Sequence, residues 1–174
     1  MKHPPPAKIP KFERQLQRRA AAEEVCRAIE VAFAEVTLGS GVGLKEGQAI
    51  DDYADDATRA AFRATDEKDD WRRITAAALN RCSSSLSFFD AAGMRFHLPA
   101  FLIAHLHGEF HFGIPSGLIY LGEYAVDMFA LLSAKQRAAV RNYLLHLVDD
   151  PNFSFERPHI IRALTEYWFD APSF

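Results

Sequence analysis

His105, His107, Glu109 and His111 fall within one short run, His-Leu-His-Gly-Glu-Phe-His. Imidazole and carboxylate together are the groups that bind zinc or move protons. A zinc-protease helix needs His-Glu-x-x-His, with both imidazoles on one face and the carboxylate directly after the first. His107 and His111 have the required i, i+4 spacing, but Glu109 would point elsewhere and Gly108 is read as the end of the helix between them. No metal site is expected, and the histidines are assigned to turns and helix C-termini. Nucleophiles are also present: Ser83, Ser84, Ser85, Ser87, Cys26 and Cys82. None sits in a Gly-x-Ser-x-Gly elbow or a known cysteine signature. Asp90 could orient His97 as a base across a hairpin, or Asp90 could make the turn while His97 packs at the edge of the core.

The strongest charge signal is acidic. Asp51 and Asp55, and Asp52 and Asp56, repeat at i, i+4 in a segment read as one helix over 46–64. Like charges at that spacing destabilise a helix slightly, so they point to a cation or a basic partner, or to a solvated face. Residues 46–70 carry 3 Lys/Arg against 9 Asp/Glu, whereas residues 1–45 carry 8 against 5 and residues 71–174 carry 9 of each. An acidic middle therefore follows a basic start. Lys2, Lys8, Lys11, Arg14, Arg18 and Arg19 could touch phosphates, but interleaved aromatics beyond Phe12 and a recognition helix are missing, so no nucleic-acid partner is expected. The stretch Gly-Ser-Gly-Val-Gly-Leu-Lys-Glu-Gly at 39–47 is glycine-rich like a phosphate loop. It lacks the Gly-Lys-Ser/Thr ending and a preceding strand, so no nucleotide is assigned to it.

The elements that must position these residues are mostly helical. Phe12, Leu16, Ala22, Val25, Cys26, Ile29, Phe33 and Val36 recur near helical spacing over 11–37. Over 46–64 the apolar stripe is Ile50, Tyr53, Ala57, Ala60 and Ala61. A third helix over 70–81 begins at Asp69 or Asp70 as N-cap, with Trp71, Ile74 and Ala78 inward. Asp90-Ala-Ala-Gly93 has type I turn chemistry, so Leu86–Phe89 and Met94–Leu98 read as a short hairpin or an irregular corner. Arg95 within it should pair with Asp90 if it is buried. Pro99 then opens a helix over 99–107. Ser133-Ala-Lys-Gln136 is a capping box that opens a helix over 134–148, with Val140, Tyr143, Leu144 and Leu147 inward. Pro158 opens a last helix, burying Ile161, Leu164 and Trp168.

Composition bounds the rest. The chain has 174 residues, 49% hydrophobic and 25% charged, which suits one globular domain with its own core. Two isolated cysteines fit a reducing compartment rather than a disulfide framework. The apolar runs are broken by Arg95, His97, His105 and His107 before they reach bilayer length, so no membrane span is expected. Residues 1–10, with three consecutive prolines and no apolar signal region, read as an extended arm, and residues 11–174 as a single domain.

The block Leu-Ser-Phe-Phe-Asp-Ala-Ala-Gly-Met-Arg-Phe-His-Leu-Pro-Ala-Phe-Leu-Ile-Ala-His-Leu at 86–106 resembles a bacterial family of unknown function, domain of unknown function 6714. The resemblance extends to Ala49-Ile-Asp51-Asp52-Tyr53, to Arg63-x-x-Asp66-Glu67 with Trp71 following, and to Leu132-Ser133-x-x-Gln136-Arg137. It implies a small, mostly helical, intracellular bacterial protein and transfers no activity, cofactor or catalytic residue.

The reading is therefore a mainly α, bundle-like single domain with room for one short hairpin at 86–98. Its expected role is that of a non-enzymatic cytoplasmic binding protein, for example of the immunity type that neutralises a toxin. It would act on a basic protein through Asp51, Asp52, Asp55 and Asp56, without cofactor or metal. The alternative is a small hydrolytic or metal-dependent enzyme using residues 90–111.

Overall fold

The computed structural model describes residues 10–123 and 125–169. Of the expected arm, residues 1–9 lie outside the described residues, as do Lys2 and Lys8. Among the described residues eight α-helical segments follow in order: α1 (Lys11–Ala32), α2 (Leu44–Asp51), α3 (Asp56–Thr65), α4 (Ala76–Arg81), α5 (Ala91–Leu106), α6 (Ala125–Met128), α7 (Ala134–Val148) and α8 (Arg157–Ala163). Short 3-10 turns at Trp71–Arg73, Ser83–Ser87, Ser116–Leu118 and Pro151–Phe153 link them, and a π turn at Leu164–Trp168 extends α8. The fold is mainly α, with no strand among the described residues.

The hairpin is replaced by a helix. α5 begins at Ala91, and Asp90 is its N-cap rather than a turn residue, accepting from the Gly93 N–H at 2.7 Å. Pro99 lies inside this helix instead of at its start. It removes one i→i−4 hydrogen bond, that to the Arg95 carbonyl. The helix tolerates the loss because α5 is buried almost all round: Met94, Phe96, His97, Leu98, Phe101 and Leu102 are each at most 3% exposed. A helix buried on every side shows no amphipathic period, which is why 86–98 did not read as helix. α5 packs against α1, α4, α6 and the Trp71 turn. Arg95 is half-buried and is not paired with Asp90, whose carboxylate serves the Gly93 and Val42 N–H groups instead.

α1 lies along α7 and ends at Ala32, five residues earlier than its periodicity suggests. Its C-terminal carbonyls, the orphans of any helix end, are taken by side chains from far along the chain. Trp71 Nε1 donates to Phe33 O at 2.8 Å, and Gln136 Nε2 donates to Ala32 O at 3.3 Å. Ala22, Cys26, Ile29 and Phe33 form its buried seam. Phe12 and Leu16 do not belong to that seam. At 3.6 residues per turn they sit roughly a quarter turn around the helix from it, and they are 69% and 51% exposed.

α7 matches its expected bounds. Ser133 Oγ accepts from the Gln136 N–H, Gln136 Oε1 accepts from the Ser133 N–H, and Val140, Tyr143, Leu144 and Leu147 are buried. In α8 it is Ile160 that is buried, while Ile161 is 47% exposed. Trp168 is fully buried, donating through Nε1 to Leu118 O at 2.9 Å. The expected helix over 70–81 is split: Asp70 caps the 3-10 turn at Arg72 N–H and Thr75 caps α4 at Ala78 N–H. No helix is long and apolar enough to cross a membrane among the described residues.

Candidate functional site

The segment read as one helix over 46–64 is two helices, and the break between them falls in the acidic cluster. α2 ends in a Schellman arrangement: Ala54 N–H donates to Ala49 O at 2.9 Å and Tyr53 N–H to Ile50 O at 3.1 Å. This motif places one residue in the left-handed region, a position usually held by glycine. Here it is Tyr53, with φ +56°, the one non-glycine residue with positive φ among the described residues. A non-glycine side chain there costs roughly 1–2 kcal/mol. Tyr53 gains no packing in return, since it is 96% exposed.

The four aspartates surround that tyrosine, but they do not crowd one helix face as the spacing implied. Asp51 closes α2, Asp52 is its C-cap residue, Asp55 is the N-cap of α3 and Asp56 its first residue. Asp55 accepts from the Thr58 N–H at 2.7 Å, and that hydrogen bond holds its carboxyl below the usual carboxylate range. Asp52 accepts from Gln48 Nε2 at 3.2 Å, and Asp56 is ion-paired with Arg59. The expected core stripe is also revised. Ala57, Ala60 and Ala61 are exposed, Ile50 is half-buried, and α3 buries no residue completely. Ala57, Ala60 and Ala61 leave a strip of small exposed side chains on α3, and Phe62, on another face of the helix, is 42% exposed.

This pair of helices is held by polar anchors. Asp66, buried, accepts from the Lys45 and Glu46 N–H groups at 2.9 and 3.2 Å. Its carboxylate therefore fills the N-terminus of α2, the place where a phosphate would sit if the glycine-rich loop bound one. Burial pushes the Asp66 carboxyl up, against the pull of those two hydrogen bonds. Arg63 pairs with Glu46 at 2.8 Å and donates to Gly41 O, tying α3 to the loop. Glu67 Oε1 accepts from the Lys68, Asp69 and Asp70 N–H groups. Asp66→Ala would leave two half-buried N–H groups without their acceptor, and a loss of about 1–2 kcal/mol is expected in urea unfolding. An unchanged midpoint would show that α2 needs no such anchor.

Residues 90–111 are committed mainly to structure. His97 is fully buried, stacked 4.4 Å from Phe89, and its Nδ1–H donates to Gly93 O at 2.8 Å. Its distance from Asp90 is bridged by no hydrogen bond, so the base-and-orienter pair does not form. His105 Nδ1 and the Tyr143 hydroxyl share a hydrogen bond of 2.8 Å, and burial pulls the His105 pKa down. His107, Glu109 and His111 are exposed. His107 opens onto a groove of ≈ 610 Å³ between α1 and the ends of α5 and α7, shared with Arg18, Arg19, Glu23, Glu109, His146 and Asp150.

The buried Cys26 meets His107, which their sequence separation concealed, with Sγ 3.6 Å from Nε2. Glu23 Oε1 is also 3.6 Å from that same nitrogen. A catalytic triad needs the carboxylate on the other ring nitrogen, where it can orient the base. Burial, followed by the charges of Glu23 and Glu30, pushes the Cys26 thiol up to about 11, away from the thiolate a nucleophile requires. Cys82 is likewise raised by burial, and Ser85 donates to its carbonyl. No group of three His, Cys, Asp or Glu side chains that could hold a metal ion occurs among the described residues.

The site residue that sequence reasoning misplaced is Tyr53, assigned to a buried stripe. The available signal was Asp-Asp-Tyr-Ala-Asp-Asp followed by Thr58 three residues after Asp55, an N-cap pattern that restarts a helix.

Residues 21–171 match the family model described as a family of unknown function, DUF6714. No curated protein matches the chain, and no solved structure does.

Proposed function

The chain belongs to the family of unknown function DUF6714, and on that premise we propose, from its own geometry, a non-enzymatic binding protein whose docking face is the acidic turn joining α2 and α3. The observation that carries this reading is Tyr53: a large aromatic side chain, 96% exposed, in a backbone position that favours glycine. Strain of this kind persists where function needs it. Tyrosine is enriched among the residues that dominate binding energy, and carboxylates around it would steer a basic partner. The exposed alanines of α3 allow close approach of a partner backbone to that helix. A cytoplasmic role in neutralising a basic bacterial protein, of toxin type, fits this surface. The enzyme alternative is less well supported, because His97, His105 and Asp90 are engaged in holding α5.

Capture from a lysate of the source cells, identification by mass spectrometry and binding kinetics on the purified partner test this reading. Tyr53→Gly should keep the fold and stabilise it by roughly 1 kcal/mol, since glycine relieves the left-handed strain. The same variant should weaken partner binding at least tenfold, the scale of a central aromatic contact. Changing all four aspartates to asparagine should leave the fold intact, because asparagine also caps a helix at position 55. That variant should slow association and abolish its salt dependence. Unchanged binding by both variants would remove the docking face from this turn.

A further inference from the structure

We propose that the basic surface which fits the acidic turn is present on the same chain, so that the first half of α1 of one copy docks on the α2–α3 turn of a second copy. This rests on the reading of the turn as a docking face and names its partner. Residues 11–20 are helical, yet every one of them is exposed. The buried seam of α1 begins only at Ala22, and extended toward the N-terminus it runs into Gln15, Arg18 and Arg19 rather than apolar side chains. Phe12 and Leu16 are neighbours at i, i+4 on a face that nothing in the described chain covers. A helical stretch this short is marginal without tertiary contacts, and here a loose ion pair, Arg18 to Asp150 at 3.9 Å, and continuity with the anchored half support it.

The two surfaces are complementary. Residues 11–20 hold Lys11, Arg14, Arg19 and the Asp150-paired Arg18 against Glu13, whereas residues 51–56 hold four aspartates, of which Asp56 is paired with Arg59. Each presents exposed apolar side chains among its charges: Phe12 and Leu16 on one, Tyr53 on the other. They belong to different elements, since α1 packs on α5 and α7 while α2 packs on α3 and the Ser83–Ser87 turn. Each copy offers one helix and one turn, so association either pairs both contacts in a two-fold dimer, closes into a larger ring or continues as an open series. Patches of a few side chains lie at the small end of specific interfaces, so the association is weak and salt-sensitive.

Sedimentation velocity on the full chain over a concentration series tests the proposal. The average mass should rise with concentration at low salt and return to the monomer at high salt. One variant, Phe12→Ser with Leu16→Ser and Arg19→Glu, removes the helix face. A second, Asp51→Asn with Asp52→Asn and Tyr53→Gly, removes the turn. All these positions are exposed or half-buried, and circular dichroism melts will verify that both variants are folded. Each alone should stay monomeric, and an equimolar mixture should give a one-to-one complex, because one partner keeps the helix and the other the turn. A wild-type chain that is monomeric at every concentration and salt would overturn the proposal. So would self-association by either variant alone, or a mixture that does not pair. Failure here is separable from failure of the docking-face reading: a foreign basic partner bound by the helix-face variant but lost by the turn variant would leave that reading standing.

Discussion

Gly93→Ala is expected to destabilise the fold by about 2–3 kcal/mol, although alanine is the better helix former by about 1 kcal/mol. Gly93 lies in the first turn of α5, where the glycine-rich loop crosses it at backbone contact. A Cβ at position 93 would lie 2.5 Å from Val42 O and 3.0 Å from Asp90 Oδ1. A Cβ at Gly41, on the other side of the crossing, would lie 2.6 Å from Gly93 N. Neither neighbour can swing away as a long side chain could. The Val42 N–H is bonded to Asp90 Oδ1 at 2.9 Å, and the same oxygen caps α5. Relief of the clash would therefore break the cap and move the loop that holds α2. Urea unfolding measures the effect, and a variant as stable as the wild type would show that loop and helix can separate without loss.

Acid should unfold the protein early, and His97 should be a principal cause. Burial holds its pKa down to about 4, against 6.5 for an ordinary imidazole. The native state thus binds this proton less readily than the unfolded chain does. The stabilisation is complete above about pH 6.5 and is lost as pH falls toward the folded pKa, a loss of about 3 kcal/mol by pH 4. His105 and His146 are lowered by burial too and act in the same direction. His97→Phe isolates the one contribution. It keeps the ring stacked on Phe89, and it removes a nitrogen, Nε2, that has no hydrogen-bond partner in the structure. Stability of this variant, followed from about pH 7 to about pH 4, should fall less steeply than that of the wild type by about 3 kcal/mol. Parallel pH profiles would show that His97 is protonated without penalty.

Asp90, Gly93 and Tyr53 explain how far the fold and the site could be read from the chain. Asp90 and Gly93 were recognisable as a pair three residues apart, which fits a β-turn and a helix N-cap equally well. The choice depended on what surrounds the next four turns, and those turns are buried on all sides. Tyr53 posed the reverse problem. Its spacing suited an apolar stripe, and the surrounding acids were visible, but whether its ring points inward depends on the backbone sign of one residue. A Schellman end with tyrosine in the glycine position is a rare choice, so local preference argued against it.

Sequence by itself determined the helical class, the bounds and inward face of α7, the acidic middle of the chain and the family resemblance. Each of these rests on signals that lie within a turn or two of helix, such as Ser133 with Gln136. Tertiary structure alone decided where α1 ends, that α5 is a helix, that α2 and α3 are separate, and that Tyr53 and the first turns of α1 face outward. Those outcomes depend on partners far apart in the chain: Asp66 on the Lys45 N–H, Trp71 on Phe33, Gln136 on Ala32. Local periodicity records which side chains could be buried together. Which of them are buried is set by the distant groups that satisfy the helix ends and by the surface left once the core is full.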